Sequence, residues 1–355
     1  MSTYERVAEL PLEIESWSME GLAIKPAPDF ERLTTVISIE GGGHRGLGED
    51  ITYEALDQIA LQDAGPTHDL TGPKTVGEFC DLIGGLDLFP APPEREVSRL
   101  YRRWAFESAA LDLALSQAGT SLAEYLGREL KPLTFVASMS LTSGPGGTES
   151  DVGRLRTKLE RYPDLKFKLD PSLDWDQELI DELADTGAVN TLDLKGQYKG
   201  TVVDIETDPE LYRRLLTSFP EAWIEDPDVT PETREVLADD WHRVTWDAPI
   251  HSVDDIARLE HKPAVINIKP SRMGGLRSTF DAYDYCDAEG IGAYGGGQWE
   301  LGVGRDQIQY LAALFHPDTP NDTAPVGYNA ADPEPGLPVS PMTVPGNGFG
   351  KPDRA

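Results

Sequence analysis

Five short apolar runs in the middle of the chain each close on a charged residue, in the order Lys168, Asp193, Glu225, Asp247, Lys269. The runs are Leu165–Leu169, Val189–Asp193, Ala222–Glu225, Val244–Asp247 and Val265–Lys269. Three carboxylates supply hard oxygen ligands of the kind a divalent cation takes, and a lysine on either side supplies a proton donor or acceptor beside them. The order reads as two lysines flanking a three-carboxylate metal site. The charged ends lie 25, 32, 22 and 22 residues apart, about the length of one strand, one helix and two loops. In a parallel βα barrel the C-terminal strand ends open on one mouth, so residues remote in sequence meet there.

The elements that must hold these residues are legible around them. From Thr134 to about Phe315, short apolar runs alternate with amphipathic segments, among them Asp174–Thr186, Asp208–Phe219, Val253–Glu260 and Leu276–Glu289, which is a βα barrel pattern. Before it, residues 7–15 and 33–40 have strand character, Gly41–Gly48 reads as a hairpin loop, and the pattern is helical from Arg95 to Leu130. The expected organisation is an α+β capping domain over 1–130, a barrel over 131–320 and an extended segment over 321–355 that packs back on the surface or the cap. That last stretch is rich in Pro, Gly, Asn and Asp and has no periodicity.

At 355 residues with 39% hydrophobic content the chain suits a barrel of roughly 200–250 residues plus a smaller domain. A formal charge of −31 and a pI near 4.4 argue against nucleic acid, which is bound through clustered Lys and Arg. The acidic residues are spread along the chain, as on the heavily solvated surfaces of proteins from high-salt cytoplasm, so molar salt is expected to be needed for full stability. Cys80 and Cys286 stand far apart in unlike contexts and read as buried thiols. Met1–Arg6 lacks a signal-peptide start, and no apolar run approaches the roughly 18 residues of a membrane span. The expectation is a cytoplasmic protein with no membrane partner. Gly295–Gly297 lacks the spacing of a nucleotide loop, and no His or Cys pair stands at zinc spacing.

At these residues the chain resembles the enolase superfamily, in its muconate lactonizing branch of muconate cycloisomerases, o-succinylbenzoate synthases, dipeptide epimerases and N-acylamino acid racemases. The resemblance rests on Lys166-Phe167-Lys168, on Thr191-Leu192-Asp193, Trp223-Ile224-Glu225-Asp226-Pro227 and Thr245-Trp246-Asp247, and on the segment Ile268 to Leu276 around Lys269. Tyr294 to Glu300 and, in the cap, Gly46-Leu47-Gly48-Glu49 and Trp104 to Leu113 agree with it. It implies a modified TIM barrel, (β/α)7β-like, with an α+β N-terminal capping domain. It also implies Mg²⁺, with Mn²⁺ as a substitute, held by Asp193, Glu225 and Asp247 against a small-molecule carboxylate substrate, in a homo-oligomer. Lys168 and Lys269 are implied as the acid and base that move the α-proton. A carbon acid beside a carboxylate has a very high pKa, so its enolate needs a hard cation, and the base must be neutral. Lys166, two residues from Lys168 on one strand face, is expected to lower the proton affinity of its neighbour.

The chain departs from the pattern in its supporting residues. Lys195 stands where many relatives have Asn, and Ala248 follows the third ligand where Glu is common. Lys195 is expected either to pair with a carboxylate such as Asp226, to reach a distal anionic group of the substrate, or to extend its stem to solvent. Glu300 reads as a substrate or Lys269 partner, or as a helix-start carboxylate. Trp17 and Met19, in Ser16–Leu22, read as a lid over the mouth or as packing against the barrel rim. The activities open at this point are racemisation or epimerisation, cycloisomerisation and β-elimination. An acid-sugar dehydratase and a non-catalytic metal- or ligand-binding homologue are the alternatives.

Overall fold

The computed structural model describes residues 1–27, 30–142, 149–201 and 204–350. After a short helix (Thr3–Ala8), β1 (Pro11–Ile14) pairs antiparallel with β5 (Gly72–Thr75), and β2 (Ser16–Ala27), β3 (Phe30–Gly41) and β4 (His44–Asp50) form an antiparallel meander. Gly42 and Gly43, at φ +59 and +76, make the tight turn between β3 and β4. Two successive positive φ values match the right-handed twist of a hairpin. β4 lies directly on the helix Ser98–Ala118, because a Cβ at Gly46 or Gly48 would come within 2.1 Å of the Ala109 or 2.0 Å of the Ala105 carbonyl oxygen. That helix is buried from Trp104 to Leu115 and ends on Gly119 in the left-handed conformation.

Trp17 and Met19 sit on β2, not on a lid. The Trp17 ring packs edge-on against Phe106 at 5.2 Å, its Nε1 donates to the His68 carbonyl at 2.9 Å, and Met19 is half-buried against the same core. The alternation Ser-Trp-Ser-Met-Glu puts both apolar side chains on one strand face, which turns them to the cap interior. The cap also contains helices at Ala55–Ala64 and Val76–Gly84 that the sequence pattern did not announce.

The barrel follows. β6 (Ala137–Met139), β7 (Phe167–Leu169), β8 (Val189–Asp193), β9 (Trp223–Glu225) and β10 (Val244–Thr245) are parallel and adjacent in chain order, as are β11 (Val265–Ile268) and β12 (Gly292–Gly295). The Asn267 amide donates to the Trp246 carbonyl at 3.1 Å and joins the two groups. Asn321 and Asp322 occupy the eighth place, bridging Phe135 on one side and Gly296 on the other. The ring is therefore seven strands with helical crossovers closed by a short eighth strand position, the expected modified barrel. The helices between strands begin where the sequence caps them. Asp176 accepts from Leu179 N ahead of Gln177–Asp185, and Asp208 accepts from Glu210 N ahead of Pro209–Ser218.

Cap side chains reach into the barrel. Glu49 accepts from Leu301, Gly302 and Gly304 N at 2.7–2.9 Å, at the start of the helix Val303–Phe315. Arg32 donates to the Gln298 and Trp299 carbonyls at 3.2 and 3.3 Å. The tail returns to the cap, where the Leu122 amide donates to the Gly348 carbonyl and Phe349 is buried between Trp104 and Tyr310. No helix among the described residues is long and apolar enough to cross a membrane.

Candidate functional site

Lys168 is the middle residue of β7, Asp193 closes β8, Glu225 closes β9, Asp247 follows β10 by two residues, and Lys269 follows β11 by one. The register pairs Asp193 with Glu225 and Glu225 with Thr245, so neighbouring strands deliver their carboxylates at one level. All five side chains are buried. Lys168 stands on the second strand of the ring and Lys269 on the sixth, on opposite sides of the mouth.

The ammonium of Lys168 donates to Glu225 Oε1 and lies 3.1 Å from Asp193 Oδ2 and 3.6 Å from Asp322 Oδ2. Tyr294 donates its hydroxyl to the other Glu225 oxygen and accepts from Thr245 Oγ1. Across the mouth, Asp247 accepts from Lys269 Nζ at 2.8 Å, Arg272 Nη1 at 2.7 Å and the Tyr198 hydroxyl at 3.2 Å. Asp226, at φ +49, accepts from the Asp247 and Ala248 amides, both at 2.8 Å, and so holds the segment that carries Asp247.

Several expected side chains stand elsewhere. Lys166 is exposed and donates to the Gly187 carbonyl at 2.8 Å, away from Lys168. β7 starts only at Phe167 and its pairing with β8 shifts register between Phe167 and Lys168, so the alternation that would align two lysines does not apply. Lys195 bonds Asp193 Oδ2 at 2.5 Å and contacts Asp170 at 3.3 Å; it does not pair with Asp226. Glu300 pairs with Arg305 at 3.1 Å and accepts from Gln298 N, and Glu49 holds the helix start that Glu300 was read as serving. Asp193, Glu225 and Asp226 present ligand atoms within 4.8 Å of one another, whereas Asp247 is turned to Lys269 and Arg272.

Sequence reasoning missed Tyr198, Arg272, Tyr294, Asp170 and Asp322. Arg272 and Tyr294 lie inside segments already singled out, and Asp170 is one strand alternation past Lys168. Asp322 gave no signal, because two bridging residues carry no periodicity.

The charges at the mouth set one another. Burial alone would lower Lys168, but Asp193 and Glu225 outweigh it and hold the ammonium well above its ordinary value. Burial likewise opposes ionisation of Asp193 and Asp247, yet Lys168 and Lys195 hold the first, and Arg272 and Lys269 the second, well below the carboxylate range. For Glu225 burial wins over Lys168 and pushes the carboxyl up. Burial, with Asp247 and Asp193 adding to it, pushes Asp226 up to about 7. Among the described residues, six carboxylates (Asp170, Asp193, Glu225, Asp226, Asp247, Asp322) face four cations (Lys168, Lys195, Lys269, Arg272), a formal excess of two negative charges. Oxygen donors with that excess suit one hard divalent cation.

Family models described as the C-terminal and N-terminal domains of a domain of unknown function, DUF8230, match residues 129–330 and 5–125. The o-succinylbenzoate synthase of Bacillus subtilis is 29% identical over 223 residues, 61% of this chain and 57% of that protein. The N-succinylamino acid racemase of Thermus thermophilus is 24% identical over 331 residues, 90% of this chain and 84% of that protein. The chain thus spans under two thirds of the first relative and most of the second. The dipeptide epimerase of Methylococcus capsulatus, solved with a Mg ion, superposes with a TM-score of 0.65 at 20% identity, over 87% of this chain and 89% of that one. The fold is that of the enolase superfamily, and these homologues are named enzymes.

Proposed function

From the premise that this chain belongs to the DUF8230 family and has the enolase-superfamily fold, we propose that it is an enzyme that removes the α-proton of a small carboxylate substrate. The observation that carries the reading is the pair of buried lysines, Lys168 and Lys269, on opposite sides of one carboxylate cluster. Asp193, Glu225 and Asp247 would hold Mg²⁺, or Mn²⁺ in its place. When bound, the metal would neutralise the substrate carboxylate beside the acidic carbon and lower the proton affinity of the nearby lysines.

Lys168 and Lys269 then work on opposite faces of the substrate. One takes the α-proton at its Nζ while the other holds a proton on the far face. Return of a proton from the far face gives racemisation or epimerisation, and loss of a β-substituent gives elimination; cycloisomerisation runs the elimination backwards, an internal carboxylate oxygen adding to the C=C bond and one lysine then delivering its proton to the α-carbon. Asp226 fixes the Asp247 segment, and Tyr294 fixes Glu225. The same reading places the protein in the cytoplasm as a homo-oligomer with an acidic surface suited to high salt.

The test is α-proton exchange with D₂O, followed by NMR, in Mg²⁺ and concentrated KCl. Substrates are N-succinyl amino acids, dipeptides, muconates and precursors of o-succinylbenzoate. Exchange that disappears in both Lys168→Ala and Lys269→Ala is the expected result. Exchange that survives in both variants would overturn the assignment of the lysines.

A further inference from the structure

Asp193 is held by a residue two positions further along its own chain. The Lys195 amide donates to Asp193 Oδ1 at 3.2 Å and the Lys195 ammonium to Asp193 Oδ2 at 2.5 Å. Both oxygens of one carboxylate are thus taken by one residue. A φ of +54 wraps the chain at Lys195 to allow this, a conformation that side chains other than glycine and asparagine disfavour. The Lys168 ammonium lies 3.1 Å from the same Oδ2, so two cations converge on one oxygen.

Lys195 has a second acceptor within reach. Asp170 Oδ1 lies 3.3 Å from its ammonium, is shielded from solvent and makes no well-formed hydrogen bond. The two lysines differ in freedom. The Lys168 side chain is 3% exposed and fixed among three carboxylates, whereas that of Lys195 is 16% exposed, at the rim of the cluster. The Tyr198 ring, 5.3 Å from the Lys195 ammonium, gives a cation a favourable face on that rim.

We propose that Lys195 is a built-in counter-ion with two berths, resting on Asp193 when the cluster holds no metal and moving to Asp170 when a divalent cation takes the Asp193 oxygens. The proposal rests on the reading of Asp193, Glu225 and Asp247 as a metal site. An ammonium and a divalent cation on the same oxygen repel each other, and the flexible lysine stem is the part that can yield. In the unloaded site the ammonium spares Asp193 the cost of a buried charge with too little compensation. In the loaded site it compensates Asp170. Metal affinity is then set by a competition within the chain, in which Lys195 opposes binding and Asp170 favours it.

The experiment titrates Mg²⁺ into the full chain by calorimetry and Mn²⁺ by electron paramagnetic resonance, and records the metal-induced rise in Tm. It compares the wild type with Lys195→Met, Asp170→Asn and the double variant. Lys195→Met is expected to tighten binding by about tenfold or more, the scale on which residues supporting a metal site act. Asp170→Asn is expected to weaken binding severalfold in the wild type and to have no effect in the Lys195→Met background, since the ammonium it receives is gone. Unchanged or weaker binding in Lys195→Met would overturn the proposal, and so would an Asp170→Asn effect of equal size in both backgrounds, which is what simple loss of a negative charge predicts. If Lys195→Met does not fold, Lys195→Gln takes its place. Absence of Mg²⁺ and Mn²⁺ binding in both the wild type and Lys195→Met, at millimolar metal, would overturn the metal reading itself and is distinct from the other outcomes.

Discussion

Glu49 and Glu107 in the cap and Asp193, Glu225 and Asp247 at the barrel mouth are all buried carboxylates, yet they are satisfied differently. Glu49 accepts three backbone amides at the start of one barrel helix, and Glu107 accepts the Leu276 amide at the start of another, with Arg103 on its second oxygen. Backbone amides at a helix start cannot leave without unwinding the helix. Apart from the Lys195 amide on Asp193, the mouth carboxylates are held by ammonium, guanidinium and phenol groups of side chains, which exchange partners without loss of the fold. Cap carboxylates therefore fix the architecture, and mouth carboxylates are available for chemistry.

The lysines of the mouth separate the two regions most. Lys168→Ala and Lys269→Ala should each reduce α-proton exchange by about a thousandfold, within the range for loss of an acid or base. A rate within tenfold of the wild type, by NMR in D₂O, would remove the mouth's claim to the chemistry.

A crossed pair of variants distinguishes a carboxylate of the cap from one of the mouth. Glu49→Ala should lower stability by about 2–4 kcal/mol, because three amides at a helix start lose their acceptor, while the metal-induced rise in Tm is kept. Asp193→Asn should abolish that rise. Denaturant titrations with and without Mg²⁺ measure both, and equal effects of the two variants on metal response would erase the distinction.

A pH test reads two buried titratable groups held by neutral partners, a base and an acid, with opposite signs. Burial pushes His316 down to about 4 from 6.5, while Asn321 and Tyr283 bond its two nitrogens. The native state then holds fewer protons than the unfolded chain between these values, so stability is full above pH 6.5 and is lost as pH falls through about 4, by up to about 3 kcal/mol. His316→Gln should flatten that limb of the stability profile. Glu49 has the opposite sign. Burial raises its carboxyl above 4.5, so the native state binds its proton more tightly, and this contribution is lost as pH rises through the raised value; Glu49→Gln should remove the loss. A profile unchanged in both variants would contradict these assignments.

The smallest expected effect is shared by both regions. With a formal charge of −31, Tm should rise as KCl goes from about 0.1 M to about 1 M and the screening length shrinks from about 10 to 3 Å. A flat response would show that the acidic surface needs no screening.

Much of the mouth was legible because strand-end residues need no partner to be recognised. Lys168, Asp193, Glu225, Asp247 and Lys269 follow apolar runs at barrel spacing, and the structure brings all five to one mouth. The error at Lys166 came from applying strand alternation one residue before the strand begins. The error at Trp17 and Met19 came from reading Ser16–Leu22 as a lid or rim segment, although the strand alternation was present. Arg272 and Tyr294 lie in segments the sequence singled out but without a role of their own, and Asp322 gave no signal, since each matters only through a residue remote in sequence.

By itself the sequence determined the order of the strands, the residues at their ends and the acidic excess, since apolar periodicity and residue type are local properties. Only the tertiary structure decided which carboxylate meets which cation: Asp247 with Lys269 and Arg272, Asp193 with Lys195, Lys168 with Glu225. Those pairings depend on separations of a few ångströms between strands tens of residues apart, and Coulomb energy in a buried site changes steeply over that distance.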